Sequence, residues 1–303
     1  MTRKQRLARD ALRRALAEGN EILIPLFGLA GEVGTLQAEF KKHLRDGKAH
    51  LLFKEQVAEE LGDLLWYVAD VATKFELDLG EIAAANLRKT QARWPSGQAV
   101  SRKLFDEDYP SHEQLPRQFE MLIREELVGG KLMVRCWLGV EGVGDPLTDN
   151  AWEDDGYRFH DVFHLAHMTI LGWSPIMRSL LKRKRKSKPE VDDVEDGARA
   201  KVVEEAIAAI VYDYARKHDY LDGVHTLDYP LLKTIQGLVS DREVRVCSLH
   251  EWQKAVLVGY RVWRQVWRNK GGIVVGNLPE RTLEYRPAPD GAVRLTVDPS
   301  SPQ

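Results

Sequence analysis

Cysteine is almost absent from this 303-residue chain: Cys136 and Cys247 stand alone and far apart. Two such thiols build no disulfide framework, and neither a CxxC pair nor a Cys/His zinc spacing occurs, so a reducing compartment is the simpler expectation. Long apolar runs are missing too, and none reaches the roughly 18 residues of a membrane-spanning helix. The opening MTRKQRLARDALRRALAEG is basic but lacks the apolar centre of a signal peptide. The expectation is a soluble cytoplasmic protein without a membrane partner. Nor does one sign of charge prevail: 44 Lys and Arg face 46 Asp and Glu, a formal net charge of −2. Such a balance argues against nucleic acid as a general partner.

What the chain does contain is 44% hydrophobic and 30% charged residues, enough for a buried core over a length that suits two domains. The fold class expected is mainly α. Apolar positions recur at three- and four-residue spacing in 4–18, 24–45, 51–76 and 79–92, separated by Gly19-Asn20, Asp46-Gly47 and Leu79-Gly80. Four helices with short connections predict an antiparallel bundle over 1–97, closed by Pro95-Ser96-Gly97. Residues 98–117, polar and holding Pro110 and Pro116, read as a linker. A second domain over 118–303 is expected to open with a β-hairpin, FEMLIREE and GGKLMVRCWLGV joined at Gly129-Gly130, with GDPLTDN as a following turn. Helical periodicity then returns in 157–171, 175–183, 199–217 and 248–268.

Two helices of the first block carry carboxylates beside apolar residues. Glu32 and Glu39 are seven apart and share one helix face. Glu60 and Asp63 are three apart, with Leu61, Leu64, Leu65 and Val68 as helix-mates, which suggests a face near the bundle interior. Carboxylates kept from water need a partner, and a divalent cation is a natural one. Hard oxygen donors favour Mg²⁺ or Mn²⁺ over zinc. A solvated acidic face is the plainer reading of any such set, and spacing alone does not separate the two.

Residues 20–95 resemble the MazG-like all-α nucleoside triphosphate pyrophosphohydrolases. That family pairs EExxE on one helix with ExxD on the next. GLAGEVGTL supplies Glu32 at the second acid position, and EELGDLLWY supplies Glu60 and Asp63 as ExxD. LDLGEIAAANLRKTQARWP is similar to the family's closing NxxKxxxR helix through Asn86, Lys89 and Arg93. Two positions depart from the pattern: Gly31 stands at the first acid, and Thr35 stands where a ligand Glu is expected. The resemblance implies Mg²⁺-dependent hydrolysis of a nucleoside triphosphate to the monophosphate and pyrophosphate. Glu32, Glu60 and Asp63 would hold the metal, and Glu59 or Glu39 would orient water. Glu39 would also stand in for the acid missing at Thr35. Lys41, Lys42, Lys89 and Arg93 would neutralise the phosphates. Trp66 serves either the core, the favoured reading, or a base-stacking platform. The resemblance further implies a homodimer. The departure at Thr35 motivates an alternative, a catalytically weakened nucleotide sensor.

The second half offers less specific signals. His160, His164 and His167 recur at helical spacing near Asp154, Asp155 and Asp161, yet no HExxH is present, and packed or capping histidines are the plainer expectation. Glu204, Glu205 and Asp213 lie among apolar residues of ARAKVVEEAIAAIVYDYARK. The helix is open to two readings: a scaffold with surface acids, or part of a diverged copy of the first bundle in which His164 and Glu205 join a polar centre. KRKRKSK at 182–188 reads as a solvated, mobile loop balanced by EVDDVEDGARA. Trp252, Trp263 and Trp267 with Val256, Val258 and Val262 predict a core-facing helix.

Overall fold

The computed structural model describes residues 23–93 and 102–289. The helix expected over 4–18 lies outside the described residues. The chain divides into two compact units, 1–90 and 91–303. In the first, α1 (Leu23–Asp46), α2 (Phe53–Lys74) and α3 (Leu79–Arg93) follow the helical periods closely. Alpha helices α1 and α2 form the dominant pair. The apolar face predicted to be interior is instead open: Leu61, Leu65 and Val68 are exposed, as are Phe27, Ile24 and Leu44. Periodicity identifies which face is apolar but not whether one chain alone can cover it.

The second unit contains the expected hairpin, turning at Gly129-Gly130, and extends it. Its two strands, β1 (Gln118–Val128) and β2 (Lys131–Leu138), belong to a five-stranded antiparallel sheet ordered β3-β2-β1-β4-β5. Strand β3 (Glu141–Leu147) contains the Gly-Asp-Pro read as a turn, and it pairs with β2 across a bulge between Val134 and Cys136. Strands β4 (Gly271–Asn277) and β5 (Thr282–Arg286) arrive from the far end of the chain, with Met121 opposite Val274. Gly276 permits this pairing: a Cβ there would meet the Phe119 ring at 2.2 Å.

Helices fill the chain between β3 and β4. They are α4 (Asp161–Ala166), continued by a π turn at His167–Leu171, α5 (Pro175–Leu180), α6 (Pro189–Val194), α7 (Ala198–Arg216), α8 (Tyr229–Leu238) and α9 (Leu249–Arg268). Helix α9 starts at a Ser248–Glu251 capping box and is the core-facing helix its aromatic pattern predicts, with Trp252, Val256, Val262 and Trp263 buried. It packs on α4, the π turn, β4 and β5. This second unit is therefore a helical layer on a sheet and not a second copy of the first hairpin.

Charge is also packed inside. The basic run is no mobile loop: Arg185 is 0% exposed and makes forked bonds to Asp196, 2.7 and 3.1 Å, and to Glu243, 2.7 and 2.9 Å. The polar segment read as linker carries buried Leu104, Asp106 and Leu115 into the same core. Asp106 accepts from Arg178 at 2.9 Å, Arg117 at 2.7 Å and the Leu115 amide at 2.7 Å. Burial works against the Asp106 carboxylate, but these cations and the amide hold its pKa below the ordinary value. Replacing Asp106 with Ala strands the buried Arg178 guanidinium. Urea unfolding of the variant is expected to show a loss of about 3–5 kcal/mol; a loss below about 1 kcal/mol would mean that the pair does not hold this segment in place.

Candidate functional site

The acidic positions of the first unit meet where α1 and α2 run antiparallel. Gly28 sets their approach, because a Cβ there would sit 2.2 Å from a Tyr67 ring carbon. One turn along α1, Glu32 faces Glu60 and Asp63, and the three offer oxygens all within 4.8 Å of one another. Thr35 lies on the next rung. Its hydroxyl lies against Glu60 Oε2, its closest contact, and within 3.2 Å of Glu32 Oε2; it also reaches the Glu32 carbonyl at 2.9 Å. Where a fourth acid was expected, the chain thus carries a neutral donor that ties the two glutamates together. Sequence reading registered Thr35 only as a lost ligand; the register shared by Gly28–Tyr67 and Thr35–Glu60 is the signal it missed.

Glu39 belongs to a different group. It is buried, paired with Lys42 and lies 3.3 Å from His50 Nε2, which also contacts Gln56 at 2.6 Å. Seven residues along a helix is about 10.5 Å, and Glu39 does not join the acid triad as a substitute ligand. Glu59, Lys41 and Asn86 are exposed. Trp66 is 63% exposed, which corrects the core reading, and meets Tyr67 edge-on at 4.9 Å. Lys89 and Arg93 lie on α3, but their side chains fall outside the described set.

Glu32, Glu60 and Asp63 pair with no Lys, Arg or His among the described residues. Three hard anionic oxygens left without a protein cation suit a divalent ion. The donor set therefore fits the metal implied by the motif.

A second polar cluster lies inside the other unit. Glu204 is 0% exposed and receives His164 Nδ1 at 3.0 Å, His167 Nδ1 at 3.1 Å, the Ser174 hydroxyl at 3.0 Å and the Ile176 amide at 2.9 Å. Burial would raise its pKa, but the two histidines bring it down to about 2. Burial would likewise lower His164, and Glu204 and Glu205 carry it up to about 10. His164 and His167 thus share one buried carboxylate as partner.

An antiparallel helical pair lined by carboxylates, joined to a sheet-and-helix unit, defines a two-part protein with an acidic helical site that could hold a metal ion. The MazG nucleotide pyrophosphohydrolase domain matches residues 26–97 and the MazG C-terminal domain matches residues 100–289, so the chain belongs to the MazG nucleotide pyrophosphohydrolase family. It is 38% identical over 72 residues to the Gene 37 protein of Mycobacterium phage L5. That match covers 23% of this chain and 63% of the phage protein's length. No solved structure matches significantly. No helix among the described residues is long and apolar enough to cross a membrane.

The close approach at Gly28 yields a direct test. Gly28→Val pushes a branched side chain into Tyr67 and is expected to destabilise the α1–α2 pair by about 1–3 kcal/mol. Hydrogen exchange over residues 23–74 should quicken accordingly, whereas unchanged protection would show that the helices close without this contact.

Proposed function

We propose that this protein is an Mg²⁺-dependent pyrophosphohydrolase of nucleoside or deoxynucleoside triphosphates. The observation that carries the reading is the convergence of Glu32, Glu60 and Asp63 beside the Thr35 hydroxyl, on helices that match the pyrophosphohydrolase domain. Mg²⁺, or Mn²⁺ in its place, would polarise phosphate oxygens and lower the pKa of water when held by these carboxylates. Thr35, whose hydroxyl carries one proton and lies closest to Glu60, can hold that carboxylate in place beside Glu32. Glu59, exposed and adjacent to Glu60, is the proposed base that takes the proton from water. Glu39 is the weaker candidate for that role, because Lys42 and His50 already engage it. Water attacks the α-phosphorus, the α–β bridging bond breaks, and pyrophosphate leaves with the electron pair. Lys41, Lys89 and Arg93 are proposed to neutralise the polyphosphate, and Asn86 to bind the substrate beside them. Trp66, open to solvent, has the ring face a base could stack on.

The neutral side chain at Thr35 favours one other reading, a nucleotide sensor with weakened catalysis. Pyrophosphate release from a panel of NTPs and dNTPs with Mg²⁺ separates the two. Turnover above background is expected, falling at least about a hundredfold in Glu60→Gln and Asp63→Asn if each removes a ligand of the reacting complex. Undiminished turnover in both variants would remove the metal assignment; nucleotide binding without any release would favour the sensor.

We also propose that the open apolar face of the first unit is covered by a second copy of the chain. Phe27, Leu65 and Leu87 are among the large side chains left exposed there, more than a stable surface usually carries. Sedimentation equilibrium should return the dimer mass, and Leu65→Glu should shift it toward the monomer. A monomer mass for the unaltered protein would overturn this proposal.

A further inference from the structure

Glu204 occupies only one side of His164. The other ring nitrogen, Nε2, lies in a fully buried side chain, makes no hydrogen bond, and has Glu205 Oε1 at 3.4 Å. One turn earlier, His160 contacts the Tyr157 carbonyl through Nδ1 at 2.9 Å, and its ring stacks on Tyr157 at 4.5 Å. An imidazole whose Nδ1–H is held by a carboxylate or a backbone carbonyl directs Nε2 to the opposite side, where a metal ion that displaces the Nε2 proton would find a lone pair. That is the outer-shell arrangement which orients histidines toward a metal.

Both rings sit beside Asp161. His160, Asp161 and His164 can each offer one ligand atom so that all three lie within 4.8 Å of one another. Asp161 is buried, and its recorded hydrogen bond is a long contact from the Cys136 thiol at 3.7 Å. No Lys or Arg pairs with Asp161 or Glu205 among the described residues. A cavity of about 260 Å³ opens over this group, lined by His160, Asp161 and Glu205 together with Ser179 and Lys201.

The geometry points to a second metal centre, in the C-terminal unit: a first-row divalent transition-metal ion bound by His160, Asp161 and His164, with Glu205 joining from α7. Two imidazoles and two carboxylates make a mixed nitrogen–oxygen set that prefers Mn²⁺, Fe²⁺, Co²⁺ or Zn²⁺ to Mg²⁺. It therefore differs in chemistry from the all-oxygen triad of α1 and α2. The cavity leaves one side of the ion facing solvent, as in sites that keep a position open for water or a small ligand. Glu204 is then the outer-shell carboxylate that fixes the His164 tautomer, and His167 shares it from behind.

Co²⁺ alone is a suitable probe, because its visible absorption and paramagnetic proton shifts report nitrogen ligation without any activity measurement. The full-length chain carrying Glu60→Gln and Asp63→Asn, stripped with a chelator, removes the first site from the reading. It should still bind one equivalent of Co²⁺ and show shifted, exchangeable imidazole N–H resonances. His160→Gln and Asp161→Asn are each expected to weaken binding about tenfold or more, with the His160 resonance lost from the first variant. Half-exposed Glu205→Gln is the change least able to disturb folding, and it should weaken binding severalfold. Absence of Co²⁺ binding up to millimolar concentration would overturn the proposal. So would affinities unchanged by all three substitutions, or binding without shifted imidazole protons.

Discussion

A carboxylate sealed from water sets the terms for the C-terminal unit. Ionised and fully buried, Glu204 would cost several kcal/mol if its oxygens went unanswered, and four donors answer them. Those donors come from α4, from the π turn that follows it, and from the start of α5. The π turn carries His167 so that it shares Glu204 with His164, three residues earlier. Ser174 serves twice, donating to Glu204 and accepting from the Met177 amide as the cap of α5. Sliding α7 against α4 by even one residue would break several of these bonds together, so the placement of the helices is specified as much by this polar centre as by the apolar core around it.

The same demand recurs at Asp106 and Asp196, each enclosed with an arginine. Arginine suits this role because its planar fork can satisfy a carboxylate twice and still reach a backbone carbonyl. Arg185 does so, forking onto Asp196 and Glu243 and reaching the Phe105 carbonyl, while Arg178 bonds Asp106 once and the carbonyls of Glu113 and Arg183. The helical hairpin follows a different logic. Its acids are only half-buried or exposed, so water limits their repulsion, and Thr35 supplies a hydroxyl between two of them. A neutral link there lets the carboxylates sit close without a cation from the described residues occupying the centre.

How much was legible in the residues follows from the range of each interaction. Helical periods depend on neighbours three and four apart, so the bounds of α1, α2, α7 and α9 could be read directly. The grouping of Glu32 with Glu60 and Asp63 was legible only through the motif resemblance, because helical spacing relates acids within one helix and not across two. Strands β4 and β5 were not: β4 is short and glycine-rich with a partner, β1, some 150 residues away, and β5 joins the sheet only through β4. Arg185 was hidden among five other basic residues, because a run of like charge says nothing about which member finds a buried acid. Trp66 shows the opposite limit: an apolar helix position is a statement about a face, and here that face lies open in the single chain.

Glu204 and Glu205 bring these arguments to one place. They are neighbours in sequence, and a helix turns about 100° between them, so one points into the core while the other borders the cavity. His164 lies between the two, bonded to the first and 3.4 Å from the second. For a purely structural histidine one buried carboxylate would suffice, and a second acid on its free side would add only repulsion between carboxylates. That second acid has a physical rationale if a positive charge resides between it and Glu204. A proton on His164 supplies one such charge. A divalent ion supplies a larger one, and it also explains why Asp161 and His160 turn toward the same point without cations of their own.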